Sequence, residues 1–367
     1  MNILLVGGSN TGISYGWGAQ FRAMARGHVV TNRFLGAVGS LFGLLRLLEL
    51  EREGAPLPDL VVFEYGLNDM MLLDSGCVTR PLLRATLLDV IEFCARRGIR
   101  LVLLCLEVRP TERARVHACV ERVKSLYRAV ARAHGTRCLT LDDMRGAIRY
   151  EDFADEHHLT PEASRDVARW LMVEIDLGRI EAPSAPPAHE PTLFYAHAET
   201  AAPIGPCRLT DIESTVFSGR FLEIARGGAS RWPGRGRLVA LMLRSTQTAG
   251  VFEIRAGPRS LRKNAQSQMR SAVPRLMLLH YLTRPLVCLD DLVISMPAAQ
   301  APLMALREDR TPLSTTPPAP FAEQQLEIHG VMFWRRPSLA ARMAAALRPR
   351  APGRDVRPRR HIQRPSS

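Results

Sequence analysis

The chain has 367 residues, 49 Lys+Arg against 36 Asp+Glu, and a formal net charge of +13. No run of 18 apolar residues occurs, which leaves no candidate membrane-spanning helix. The seven cysteines are scattered and without a C-x-x-C pair, which argues against a disulfide scaffold or a zinc site and suits a reducing compartment.

A basic chain suggests nucleic acid or an anionic surface, but the charge is uneven. Residues 1–195 carry 23 basic and 24 acidic side chains, 196–334 carry 16 and 11, and 335–367 carry 10 and 1. The excess lies mostly in the tail, with no nucleic-acid-binding motif and little aromatic interleaving. Nucleic acid is therefore not the expected primary partner. The start, Met-Asn-Ile-Leu-Leu-Val, lacks a basic n-region and turns after four apolar residues. No secretory leader is expected, and the expected location is cytoplasmic.

The first half alternates two patterns. Apolar strand-like runs occur at Asn2–Val6, His28–Thr31, Leu60–Tyr65, Arg100–Glu107 and Arg137–Leu141. Helical periodicity fills Trp17–Arg26, Leu41–Glu53, Pro81–Arg97, Glu112–Ala133 and Pro161–Leu177. Continuous apolar strands separated by helices predict an α/β domain over 1–180, a doubly wound, flavodoxin-like five-stranded parallel sheet. A Pro-rich stretch over 181–195 reads as an extended linker. Short strands separated by Gly, Pro and polar turns then predict a β-sandwich or jelly-roll-like domain over 196–335. Residues 336–367 read as an Ala-rich helix followed by a basic, disordered tail.

The first strand runs into Gly7-Gly8-Ser9-Asn10-Thr11-Gly12. A dinucleotide fingerprint requires a third-position Gly where Ser9 stands, and a phosphate loop requires a Lys where Ile13 stands. Two readings remain: a plain strand-to-helix turn with an N-cap serine, or a nucleophilic serine at the carboxyl end of a strand, beside backbone N–H groups suited to an anion. The third strand ends in Gly66-Leu67-Asn68-Asp69, at the same edge of an open parallel sheet. Thr160-Pro161 opens the last helix, so Asp155-Glu156-His157-His158-Leu159 just before it is a loop in which Asp and His can share one site. Serine, an Asn donor, and Asp with His on one set of loops are what acyl transfer needs.

These segments resemble the four blocks of the SGNH (GDSL-type) hydrolases, in order and at fitting spacing over residues 1–178. Gly7-Gly8-Ser9-Asn10-Thr11 is similar to the nucleophile block, with Gly8 where an Asp is common. Asn32–Ala37 resembles the block whose glycine N–H joins the oxyanion hole, with Gly39 a rival to Gly36. Gly66–Asp69 matches G-x-N-D, and Asp155–Leu159 matches D-x-x-H-L. The resemblance implies a serine esterase or acyltransferase with Ser9 as nucleophile, His158 as base and Asp155 as its orienting acid. The Ser9 and Gly36 N–H groups and the Asn68 amide would form the oxyanion hole, with no metal or organic cofactor. The combination with a β-rich second half resembles bacterial members linked to polysaccharide modification, which implies an acylated saccharide or small ester as substrate. A glycan- or partner-binding protein on the same scaffold is the alternative. Oligomeric state is not legible.

Other residues have plainer expected roles. His157 competes with His158 for the base, and Asp69 is expected to brace its loop. Glu107 and Arg109 are read as pocket-shaping residues or a surface ion pair. Trp17 is expected either to wall the acyl pocket or to pack on the sheet. Cys94, Cys105 and Cys119 read as core. His280 and His329 read as satisfied or exposed histidines, and Trp232, Tyr281 and Trp334 are the aromatics available to a glycan in the second half.

Overall fold

The computed structural model describes residues 1–146, 148–185, 189–213, 217–246, 248–265, 275–299 and 320–335. The expected Ala-rich helix and basic tail at 336–367 lie outside the described residues.

Five parallel strands form the first sheet: β1 (Asn2–Gly7), β2 (Val29–Asn32), β3 (Leu60–Glu64), β4 (Arg100–Cys105) and β5 (Arg137–Thr140). Their order is β2-β1-β3-β4-β5. The order reverses between β1 and β3, where the carboxyl ends of a doubly wound sheet open a crevice. Both faces are covered, which is why β3 is apolar or buried at every position. Ile3, Leu5, Val62, Val102 and Leu104 face one core, with Trp17 and Phe21 of α2 (Trp17–Met24) and Val167 and Leu171 of α8 (Pro161–Asp176). Leu4, Val6, Val61, Phe63, Leu101 and Leu103 face the other, with α3 (Ser40–Arg52), α5 (Arg80–Arg96) and α6 (Ala114–Ala133). Among the described residues the remaining α-helices are α1 (Ser9–Gly12), α4 (Gly66–Asp74) and α7 (Leu141–Arg145). Gly66–Asp69, at the end of β3, open α4.

The second half is built from two antiparallel sheets. One contains β7 (Ala202–Ile204), β10 (Ala229–Pro233), β12 (Val251–Ala256), β13 (Arg259–Asn264) and β15 (Asp291–Ser295). The other contains β6 (Leu193–His197), β8 (Cys207–Ile212), β9 (Gly219–Ile224), β11 (Gly236–Thr246), β14 (Arg275–Cys288) and β16 (Leu326–Trp334). Leu241, Leu243, Ile328 and Phe333 of the second sheet pack with Trp232, Phe252 and Ile294 of the first, a sandwich core. The opposite face of the same sheet is not solvated. Tyr195, Phe221, Val239, Met242, Tyr281 and Met332 join Phe42 and Leu72 of the α/β half in one core. This burial on both faces explains why β11 is buried from Leu238 to Thr246 rather than alternating.

The stretch expected to be an extended linker is tied down. The Ser184 N–H donates to the His134 carbonyl at 2.7 Å, and the N–H groups of Thr192 and Leu193 donate to the buried Asp89 carboxylate at 3.0 and 2.8 Å. Strand β6 begins at Leu193, inside that stretch. Its neighbouring prolines mask a short apolar run whose partner, β16, lies over 130 residues further on.

Candidate active site

The turn that carries Ser9 is set by the end of β1. The Gly8 N–H donates to the Glu64 backbone carbonyl at 3.1 Å and to its Oε2 at 3.2 Å, and Thr11 Oγ1 donates to the same Oε2 at 2.8 Å. Glu64 is fully buried at the end of β3, and burial pushes its carboxyl up to about 8 against the lowering effect of the bonds from Thr11 and Gly8. The turn therefore rests on a carboxyl whose protonated form is favoured by burial. Ser9 opens α1 immediately after it.

The histidine loop is clipped to this turn by Asn10, which is buried. Asn10 Nδ2 donates to the His157 carbonyl at 2.8 Å, and the Leu159 N–H donates to Asn10 Oδ1 at 3.0 Å. His158 lies between the two clips. Its Nε2 is 2.9 Å from Ser9 Oγ and its Nδ1 is 2.7 Å from Asp155 Oδ2. The other Asp155 oxygen accepts the N–H groups of His157 and His158, both at 2.8 Å. Burial acts to raise the Asp155 carboxyl, but the bonds from the His158 ring and from these two N–H groups outweigh it and hold the carboxyl at about 2. Ser9, His158 and Asp155 thus form one hydrogen-bonded line, and His157 does not enter it through its ring.

The two expected oxyanion donors besides Ser9 flank the serine. Asn68 is buried on α4, and a Cβ at Gly8 would run into its carboxamide, so Gly8 is the space that Asn68 fills. Gly36 lies against the serine: a Cβ there would be 3.3 Å from Ser9 Cβ. Its N–H has no partner among the described residues. Gly39, the rival, is committed elsewhere, since its N–H donates to the Tyr281 hydroxyl at 3.1 Å.

Asp69, on α4, braces the loop that carries these glycines. Its Oδ1 accepts the Ser40 N–H at 2.9 Å, and its Oδ2 accepts the Tyr127 hydroxyl at 2.6 Å. Burial pushes this carboxyl up to about 7 despite both bonds. Glu107 is not in a surface ion pair with Arg109. It is buried and pairs with Lys124 at 3.1 Å, whereas Arg109 stacks over the Tyr150 ring at 4.3 Å. Arg109 and Tyr150 line a cavity of about 1020 Å³, together with Met70, Val108, Glu156 and His157. This cavity borders the serine site through His157. Trp17 is wholly buried in the sheet core and forms no part of it.

Cys94, Cys105 and Cys119 are buried and free. In the second half His329 Nδ1 is 2.6 Å from the Tyr195 hydroxyl, and His280 Nε2 is 2.9 Å from Ser245 Oγ, both buried. Trp232 and Tyr281 are buried as well, so neither offers a ring to a surface glycan. Sequence reasoning gave no role in the site to Asn10, Thr11 or Glu64, and took Tyr281 only as an aromatic available to a glycan. Asn10 and Thr11 sit beside a motif serine and carry a signal of proximity, but the other two are joined to the site only by the folded chain.

Known structures with this architecture exist. The chain is similar to a two-domain esterase (CEX) active on acetylated mannans, with a TM-score of 0.59 and 14% identity over 92% of each chain. It is equally similar to the same esterase co-crystallized with mannopentaose, with a TM-score of 0.60 and 14% identity over 92% of this chain and 91% of that one. No protein-family model matches the sequence, and no curated protein matches it. The likeness defines the class of fold: an α/β domain with a five-stranded parallel sheet joined to an antiparallel β domain. The chain has that two-domain fold along nearly its whole length.

Proposed function

We propose that the protein is a serine esterase of the SGNH type, acting on a small O-acyl group such as acetate carried by a saccharide. The observation that carries this reading is the line from Ser9 Oγ through His158 to Asp155, at 2.9 and 2.7 Å. Shared fold with an esterase active on acetylated mannans supports the substrate class. The cavity of about 1020 Å³ beside His157, with Tyr150 and Arg109 on its wall, supports an alcohol portion larger than a simple alkyl group.

In this mechanism Ser9 Oγ attacks the ester carbonyl while His158 Nε2 accepts its proton. Asp155, ionised well below neutral pH, holds the ring by Nδ1 and stabilises its charged form. The oxyanion is received by the N–H of Ser9, the N–H of Gly36 and the Asn68 carboxamide. Each such donor is worth about 2.7–4 kcal/mol in the transition state. His158 then gives its proton to the leaving alcohol, and water repeats the sequence on the acyl-enzyme. The engagement of the Gly39 N–H by Tyr281 supports Gly36 as the glycine donor.

The test is turnover of a chromogenic acetate ester by wild type, Ser9→Ala and His158→Ala. Both variants are expected to lose at least about 10³-fold in kcat. Turnover that survives Ser9→Ala ends the reading.

A further inference from the structure

We propose that Tyr281, in the second domain, is a positioning residue for the oxyanion-hole loop of the first, so that the β domain is part of the catalytic apparatus rather than an appendage. The proposal rests on the esterase reading above. The loop runs from Leu35 to Ser40 and carries Gly36, the glycine packed against Ser9. Its start is anchored to the nucleophile turn, where the Leu35 N–H donates to the Gly7 carbonyl at 3.0 Å. Between its ends stands Ala37 with φ of 59°, a left-handed conformation that a non-glycine residue adopts only when its surroundings hold it there.

What holds the far end comes from two sides. The Ser40 N–H is taken by Asp69, and the Gly39 N–H by the Tyr281 hydroxyl, 242 residues away in sequence. Gly39 is buried in a slot with no room for a side chain: a Cβ would lie 2.6 Å from Asp69 Oδ1, 2.6 Å from Leu72 Cδ1 and 3.1 Å from the Tyr281 hydroxyl. Tyr281 itself is 1% exposed and fixed in β14, paired with Ala240 of β11. Its carbonyl accepts from Lys263 Nζ, also wholly buried, at 2.8 Å. The hydroxyl is thus a fixed acceptor on a rigid strand, aimed at one of the two N–H groups that end a strained loop. Removing it leaves the Gly39 N–H buried and unpaired, and the loop gains a reason to relax. The Gly36 N–H, three residues away, then departs from the position the oxyanion requires.

The test compares the full-length chain with Tyr281→Phe and Tyr195→Phe. Tyr195 also lies in the core shared by the two halves, and its buried hydroxyl bonds His329, so it controls for loss of a buried hydroxyl away from the loop. The expected result is an about tenfold fall in kcat for Tyr281→Phe with KM within about twofold, and kcat of Tyr195→Phe within about twofold of wild type. Amide hydrogen exchange over residues 34–40 should accelerate in Tyr281→Phe alone. Wild-type kcat in Tyr281→Phe, equal losses in the two variants, or unchanged exchange at 34–40 overturns the proposal. Should wild type itself turn over no ester, the proposed function fails, and the exchange comparison alone still decides whether Tyr281 braces the loop.

Discussion

Asn10 donates from its carboxamide to the carbonyl of His157 at 2.8 Å, tying the residue after the serine to the residue before the histidine. The Leu159 N–H completes the clip by donating to Asn10 Oδ1. The 2.9 Å contact between Ser9 and His158 is therefore set by backbone fixed on both sides of the histidine. Asn10→Ala is expected to leave the Leu159 N–H and the His157 carbonyl without this partner. The cost in stability is about 1–3 kcal/mol per buried unsatisfied group, read by denaturant unfolding. kcat should fall about tenfold as the histidine loses its fixed position. A variant with unchanged stability and kcat would show that the clip is dispensable.

Gly8 and Asn68 form a second dependent pair. A methyl at Gly8 would occupy the place of the Asn68 carboxamide. Asn68→Ala is expected to lower kcat about 10²–10³-fold, the effect of losing one oxyanion donor. Gly8→Ala should cost a comparable factor by displacing the same amide. The double variant should then be little worse than Asn68→Ala, because the displaced group is already gone. Multiplying losses in the double variant would mean that Gly8 serves the turn rather than Asn68.

Glu64 and Asp69 make stability depend on pH in a defined direction. Both carboxyls are raised in the folded protein, to about 8 and about 7. A raised carboxyl stabilises the fold fully below its unfolded pKa, and that contribution is lost as pH rises through the folded one. The midpoint of denaturant unfolding should therefore fall between about pH 5 and pH 9. Glu64→Gln keeps an oxygen to accept from Gly8 and Thr11 but has no proton to lose. Its stability should fall less over the same range, with kcat at pH 7 near wild type because the amide oxygen still accepts from Gly8 and Thr11. An identical pH slope in the two proteins would show that Glu64 is ionised in the fold.

Much of the α/β half was legible because its signals are local. Unbroken apolar runs such as Leu60–Phe63 and helix starts such as Thr160-Pro161 state their structure in a few residues, and the Thr160 hydroxyl does accept the Ala163 N–H. Ser9, Asn68, Asp155 and His158 were legible because each sits at a strand end or helix start, and the fold brings Ser9, His158 and Asp155 into one line. What sequence could not convey was relation between distant segments. Strands β6, β7, β10 and β13 are short or Pro-bearing and owe their form to neighbours in the sheet. Gly36 and its rival Gly39 both sit in one loose sequence block, and the fold separates them by packing Gly36 against Ser9 and giving the Gly39 N–H to Tyr281. Glu64 reads as the end of an apolar strand, and only its burial beneath the serine turn gives it meaning.

The central claim is that Ser9 is the nucleophile activated by His158. The most direct measurement is peptide mass mapping of the full-length protein after treatment with a fluorophosphonate, alongside acetate-ester turnover. The account predicts a single phosphonyl adduct on Ser9, loss of turnover in step with labelling, and at least about 10²-fold slower labelling in His158→Ala. A folded wild-type protein that takes no label at Ser9, or that hydrolyses the ester with Ser9 fully labelled, would contradict it.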